Sequence, residues 1–306
     1  MKVASNGLQI EVEDSADGAS PEHRLRPVVL LIMGLGMQLV AWPPQMVQAL
    51  VDAGYRVVRF DNRDIGLSTQ LHALGKPNML VNMLKFQLGI VPKPPYTLSD
   101  MAQDALGVLD ALGIAAAHVV GASMGGMIAQ RVAIAAPLRT LSLTSIMSSS
   151  GARHLPRPDP KVLKIMLARP PSGRGEEGLV QHCQRLFAAI GSPAYPTPEA
   201  ELRERILAGV RRSFYPAGVM RQMLAVITDI TRAAQLSRIT SPTLVIHGKA
   251  DPLVPYAGGE DTARRIHGAR LVGIDGMGHD LPPGVVSLML PHLLNHFQAA
   301  TAAQRP

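Results

Sequence analysis

The chain has a single cysteine, Cys183, so no disulfide can form within it, and the expected compartment is the reducing cytoplasm. Aromatic side chains are scarce, at 4% of 306 residues. The basic residues are dispersed, so there is no stacking platform of the kind a nucleic-acid binder needs, and nucleic acid is not an expected partner. No apolar run reaches bilayer length. The longest begins at 28–33, is strand length and stops at a glycine, so stable membrane insertion is not expected. Residues 1–14 carry Lys2, Glu11, Glu13 and Asp14 and lack the apolar stretch of a signal peptide. The sequence has no metal-ligand cluster and no dinucleotide fingerprint, so neither a metal nor a cofactor is implied.

What is present describes a folded chain. Hydrophobic residues make up 47% and charged residues 17%, enough apolar material for one large core or a core with a smaller insert. The net charge of +7 is localised. Residues 150–240 hold 14 Lys+Arg against 7 Asp+Glu, while the remainder balances at 16 of each sign. Such a segment either attracts anionic substrates or surfaces or is a solvated helical face.

Apolar runs alternate with helical spacing through the first half. Strands are expected at 8–13, 28–32, 55–60, 117–122 and 141–146, and helices at 44–52, 99–112 (with Ser99 as cap) and 124–136. From 148 to 235 no strand pattern appears. Helices are expected there at 161–168, 177–190, 198–214 and 217–229, joined by Pro- and Gly-rich connections at 169–175 and 191–198. Strands at 242–247 and 270–274 and helices at 256–267 and 284–299 then resume the first pattern, with a frayed tail after 300. Alternation at this spacing implies an α/β fold with a mostly parallel central sheet and helices on both faces. The core is 1–147 and 236–306, and 148–235 is an inserted helical cap. A long apolar connection, 71–96, reads as irregular chain that leans over the same site.

The chemistry centres on Gly121-Ala122-Ser123-Met124-Gly125. A G-x-S-x-G between a strand and a helix forces a sharp, strained turn that lifts the serine hydroxyl out of the sheet. Helix and strand crowd there, which is why Gly121 and Gly125 flank the serine. A serine hydroxyl needs a base. His279, in Gly276-Met277-Gly278-His279-Asp280 after the last strand, lies at the carboxyl edge of the sheet beside that turn; His247, closing a strand, is its only serious competitor. Asp251 follows another strand end and supplies the acid that fixes the imidazole tautomer, in the order Ser, Asp, His. Asp280 is expected to point elsewhere, and Asp275 is too near in sequence to reach round. An oxyanion needs two fixed donors. Those expected are the backbone N–H groups of Met124 and of Leu35, the latter in Met33-Gly34-Leu35-Gly36, although that stretch also reads as a plain glycine turn.

Three stretches, LLIMGLGMQLVAWP (30–43), RFDNRDIGLST (59–69) and HVVGASMGG (118–126), together with TLVIHGKADPLVP and GMGHDLP, resemble the α/β-hydrolase superfamily along nearly the whole chain. Within it the chain is similar to the aclacinomycin methylesterase-like and small carboxylesterase group. The resemblance implies an α/β-hydrolase fold, a Ser123–Asp251–His279 triad, and a Leu35/Met124 oxyanion hole. It also implies that Asp61, Arg63 and Asp64 are a structural turn. Many relatives have His where this chain has Met33; the donor is backbone, so the chemistry survives the change.

A serine nucleophile sets the chain apart from haloalkane dehalogenases and epoxide hydrolases, which use aspartate. A basic insert disfavours proline aminopeptidases, which need acidic groups there. The expected reaction is hydrolysis of small to medium lipophilic carboxylic esters through an acyl-enzyme, with a small-molecule ester as partner. Apolar residues of the insert and of 79–88 would shape the pocket. Arg211 or Arg212 contacting an anionic substrate is a further expectation. Two alternatives remain open: a C–C bond hydrolase acting on β-diketone-like substrates, and a non-catalytic ligand-binding homologue. Perhydrolase side activity is a related alternative.

Overall fold

In the computed structural model, which describes residues 1–168 and 175–303, the apolar runs form one eight-stranded sheet. Its strands are β1 (Lys2–Ser5), β2 (Leu8–Asp14), β3 (Val28–Ile32), β4 (Arg56–Phe60), β5 (Ala117–Ala122), β6 (Thr140–Ile146), β7 (Thr243–Gly248) and β8 (Arg270–Ile274), paired in the order β1-β2-β4-β3-β5-β6-β7-β8. β2 pairs antiparallel with β1 and with β4, and every other pairing is parallel. The helices are α1 (Pro21–Arg24), α2 (Pro44–Asp52), α3 (Met79–Gln87), α4 (Leu98–Ala111), α5 (Met124–Ala135), α6 (Pro160–Leu167), α7 (Gly175–Ile190), α8 (Glu199–Arg212), α9 (Pro216–Thr228), α10 (Ala257–Arg265) and α11 (Pro283–Ala302).

The central strands are apolar at successive residues because both faces are covered. Leu30 and Ile32 pack with Met101, Leu109 and Ile128 of α4 and α5. Their neighbours Val29 and Leu31 point the other way, into Met46 of α2 and Val286, Leu293 and Phe297 of α11. The period-two alternation of a strand thus splits one apolar run between two cores. The parallel strands end level with one another, Ile32 opposite both Phe60 and Gly121, and Ile146 opposite Ile246. The loops after β3, β5, β7 and β8 therefore emerge at one carboxyl edge.

Among the described residues, the chain between β6 and β7 runs through the four helices α6 to α9 and a 3-10 turn, with no strand. The connection expected at 169–175 lies, apart from Gly175, outside the described residues. At the end of the chain α11 continues to Ala302, so residues expected to fray after 300 are still helical, and 304–306 lie outside the described residues.

Two local expectations are corrected, and one strand was not expected. α4 is capped by Thr97, not Ser99: the Thr97 hydroxyl accepts from the Asp100 N–H, and the Asp100 carboxylate accepts from the Thr97 N–H at 2.7 Å, a reciprocal pair that leaves Ser99 inside the first turn. The 71–96 connection contains a helix, α3, whose start is capped by the Asn78 side chain. β1 was not among the expected strands; Asn6 and Gly7, both at positive φ (48° and 75°), turn it into β2 as a two-residue hairpin. No described helix is long and apolar enough to cross a membrane.

Candidate active site

Ser123 sits between β5 and α5 at φ 55°, ψ −122°, a backbone region that a side-chain-bearing residue occupies only under constraint. The constraint comes from crowding. A Cβ on Gly121 would lie 2.0 Å from the Gly125 carbonyl oxygen, and one on Gly125 would lie 2.0 Å from that of Ile32. Helix and strand therefore touch through backbone alone, and only glycine fits on either side. The Ser123 N–H donates to the Ile146 carbonyl at 2.9 Å, and its own carbonyl accepts from the Ser148 hydroxyl at 2.7 Å. The residue is fixed at both ends, with its side chain half-buried at the carboxyl edge.

His279 and Asp251 arrive from the loops after β8 and β7. His279 Nε2 lies 2.9 Å from Ser123 Oγ, and Nδ1 lies 2.7 Å from Asp251 Oδ2. The other Asp251 oxygen accepts the N–H groups of Leu253 and Val254 at 2.9 and 2.8 Å. Burial on its own would raise the Asp251 pKa. The charge of His279, the closeness of His247, the hydrogen bond from His279 and the Val254 N–H outweigh it and hold the carboxyl at about 2. An ionised carboxylate at Nδ1 keeps the proton on that nitrogen and leaves Nε2 free to accept from the serine.

The competing histidine is also at this acid, but behind it. His247 is fully buried, donates from Nε2 to the Val254 carbonyl at 2.8 Å, and stands 3.5 Å from Asp251 Oδ2. Asp280 turns away, accepting the Ser192 hydroxyl at 2.5 Å, and Asp275 pairs with Lys249 at 3.0 Å.

The Met33–Gly36 turn abuts the serine. A Cβ on Gly34 would sit 3.1 Å from Ser123 Cβ. Neither the Leu35 nor the Met124 N–H donates to another described group outside its own helix. Sequence reasoning missed what holds this turn: Gln222 of α9, fully buried, accepts the Gly36 N–H at 3.0 Å and donates to the Arg63 carbonyl at 2.9 Å. It also missed the clamp on the histidine loop. Ser192, after α7, accepts the Gly278 N–H at 2.9 Å, and the His279 N–H donates to the Ile190 carbonyl at 2.6 Å. A polar residue on an otherwise apolar helical face was the only sequence signal for Gln222, and Ser192 had none.

The structural turn after β4 is tied to the inserted helices. Arg221 pairs with Asp64 through two hydrogen bonds, at 2.7 and 2.8 Å, with both side chains fully buried. Arg63 pairs likewise with Asp104 of α4. Arg212 reaches Asp61 at 2.6 Å and Gln38 at 2.7 Å, and Arg211 pairs with Glu176. Each of the two arginines expected to meet an anionic substrate thus has a carboxylate partner within the chain. The expectation for 79–88 changes, because Leu80, Leu84 and Leu88 are exposed while Met79 and Phe86 are half-buried.

A family profile described as alpha/beta hydrolase fold matches residues 27–191, and one described as TAP-like protein matches residues 226–286. The chain belongs to the α/β-hydrolase fold family. It is 31% identical over 291 residues to rhodomycin D methylesterase of Streptomyces peucetius, covering 89% of this chain and 91% of that protein. It is 33% identical over 293 residues to rhodomycin D methylesterase of Streptomyces sp. strain C5, with the same coverage of 89% and 91%. Among solved structures, a meta-cleavage product hydrolase from Pseudomonas fluorescens IP01 shares the fold, with a TM-score of 0.74 at 18% identity and 98% of both chains covered. The likeness to methylesterases read from the motifs agrees with these relatives.

Proposed function

We propose that this chain is a carboxylic ester hydrolase in which Ser123 is the nucleophile, His279 its base and Asp251 the acid that orients the histidine. The observation that carries the reading is the continuous hydrogen-bonded line from Asp251 through His279 to Ser123, at 2.7 and 2.9 Å, ending on a strained turn. Ester chemistry is also supported by two methylesterase relatives that span most of the chain.

The reaction runs in two halves. His279 Nε2 takes the Ser123 proton as Oγ attacks the ester carbonyl carbon. The oxyanion is held by the N–H groups of Leu35 and Met124, the second at the start of α5 where the helix dipole also favours negative charge. Collapse breaks the bond to the alcohol oxygen, which receives the proton from His279. Water then attacks the acyl-enzyme, gives its proton to Nε2, and the acid leaves as the proton returns to Ser123 Oγ. Asp251, ionised throughout, stabilises the imidazolium formed in each half.

Residues 148–235 act as the cap of this site on a core of 1–147 and 236–306. Support comes from their contacts with both flanks of the serine, through Ile190–Ser192 on the histidine loop and Val219–Gln222 on the Gly34–Gly36 turn. Small to medium lipophilic esters, methyl esters among them, are the expected substrates. The test is hydrolysis of p-nitrophenyl and methyl esters of increasing acyl length, with Ser123→Ala as control. Turnover that peaks at one length and vanishes in the variant supports the reading. Turnover surviving in Ser123→Ala overturns it, and absence of any ester turnover redirects the search to carbon–carbon cleavage of β-diketone-like compounds.

A further inference from the structure

α3 is more apolar on its outside than on its inside. Met79, Asn82 and Phe86 are half-buried toward α9, whereas Leu80, Leu84 and Leu88, one turn apart, are 85%, 57% and 70% exposed. Val81 and Ile90 extend the same surface at 45% and 57%. A contiguous apolar patch of this kind on a folded protein marks a contact surface.

Its charge says what the contact is. From 65 to 99 the chain has no Asp or Glu, but it has Lys76, Lys85 and Lys93, all exposed and none in an ion pair among the described residues. Arg153 adds a fourth cation, its guanidinium 5.9 Å from the Phe86 ring. A leucine stripe on a segment whose charged side chains are all cations is the chemistry of a helix that lies in the interface of an anionic lipid bilayer, leucines among the acyl chains and lysines at the headgroups. A second copy of the chain fits poorly, because a two-fold contact would set this basic segment against itself.

We propose that the outer face of α3 docks peripherally on anionic membrane surfaces. This goes beyond the esterase reading and does not depend on it. It would bring α9, which packs on α3 and holds the Gly36 turn through Gln222, next to a reservoir of lipophilic compounds.

The experiment is co-sedimentation of the full chain with vesicles of phosphatidylcholine alone or of equal parts phosphatidylcholine and phosphatidylglycerol, at low and high salt. Thermal melting of each variant serves as the folding control. The wild type is expected to pellet with the anionic vesicles at low salt, less at high salt, and not with the neutral ones. Leu80→Gln/Leu84→Gln/Leu88→Gln should lower the bound fraction at least about tenfold, and Lys76→Gln/Lys85→Gln/Lys93→Gln should flatten the salt dependence. The proposal is overturned if the wild type stays in the supernatant, or if the leucine variant binds as well as the wild type, which would assign the attraction to the basic insert. It is equally overturned if sedimentation velocity shows a dimer that the leucine variant dissolves, which would make this face a contact between copies.

Discussion

Ser192 donates its hydroxyl to Asp280 at 2.5 Å and accepts the N–H of Gly278 at 2.9 Å, so the residues on both sides of His279 hang on one side chain of the inserted segment. Backbone contact reinforces the tie, since a Cβ on Gly278 would lie 2.3 Å from the Gly191 carbonyl oxygen. Burial pushes the Asp280 carboxyl up, so removing its donor is costly. Ser192→Ala is expected to lose about 2 kcal/mol of stability, from an unpaired buried acceptor and an unpaired N–H. Its kcat on a soluble ester should fall roughly tenfold with KM little changed, because the imidazole is displaced while the pocket remains. Urea unfolding and steady-state kinetics check this. A loss of kcat no greater than the loss of folded protein would remove Ser192 from any role in placing His279.

Asp251 gives a pH signature. Its folded pKa of about 2 lies below the ordinary carboxylate value of about 3.9. The stabilisation it provides is therefore complete above about pH 4 and is lost as pH falls through 2. The displacement corresponds to about 2–3 kcal/mol. The difference in unfolding free energy between wild type and Asp251→Asn should shrink as pH falls from about 4 toward 2. The variant should also lose on the order of 10³–10⁴ in kcat, since an amide no longer dictates the imidazole tautomer. A stability difference that does not change with pH would mean Asp251 is not the charged partner of His279.

Buried charge also sets what the insert costs to detach. Arg221 on α9 and Asp64 after β4 are both fully buried, and Asp64 adopts φ 68° to make the contact. Arg221→Met leaves a carboxylate without its counter-ion and is expected to cost about 3–5 kcal/mol. Arg221→Met/Asp64→Asn should recover part of that loss, because the stranded charge is gone. Chemical denaturation of wild type and the two variants reads the cycle. Equal losses in the single and double variants would show that shape, rather than charge, makes this contact.

The sequence was legible where one residue type had one physical reason to be present. Gly121 and Gly125 could be read because the backbone of β5, α5 and β3 meets there with no room for a Cβ. Val28–Ile32 could be read because a strand covered on both faces has no polar position. The hairpin at Asn6-Gly7 carried its usual signal, but beside a strand of four residues with only Ser5 buried the apolar alternation was too weak to prompt it. α3 was missed for the opposite reason: its apolar residues look like core, and the structure leaves them exposed. His247 and His279 each follow a strand at the same edge, so spacing alone could not rank them conclusively. They differ in what they meet across the loops: His279 Nε2 faces Ser123 Oγ at 2.9 Å, while His247 lies behind Asp251, and that is a tertiary property.

Gln222 is a buried link between two turns that no motif announces. It lies in the inserted helices, yet its side-chain oxygen takes the Gly36 N–H and its amide nitrogen donates to Arg63, bridging the turns after β3 and β4. With Gly36 fixed and Gly34 pressed against Ser123, the Leu35 N–H between them has little freedom, as a preorganised oxyanion donor requires. Gln222→Met keeps the length of the side chain and removes both hydrogen bonds. Losing one oxyanion donor outright costs about 10²–10³ in kcat, so a donor merely loosened should cost roughly 10- to 100-fold. KM should change by less than about threefold, because the ground-state ester does not depend on that contact. Stability should drop by about 1–3 kcal/mol for the unpaired N–H and carbonyl. Single-turnover acylation is the decisive readout. If acylation by the folded variant proceeds at the wild-type rate, Gln222 only holds two turns together, and the Leu35 donor is positioned by β3 alone.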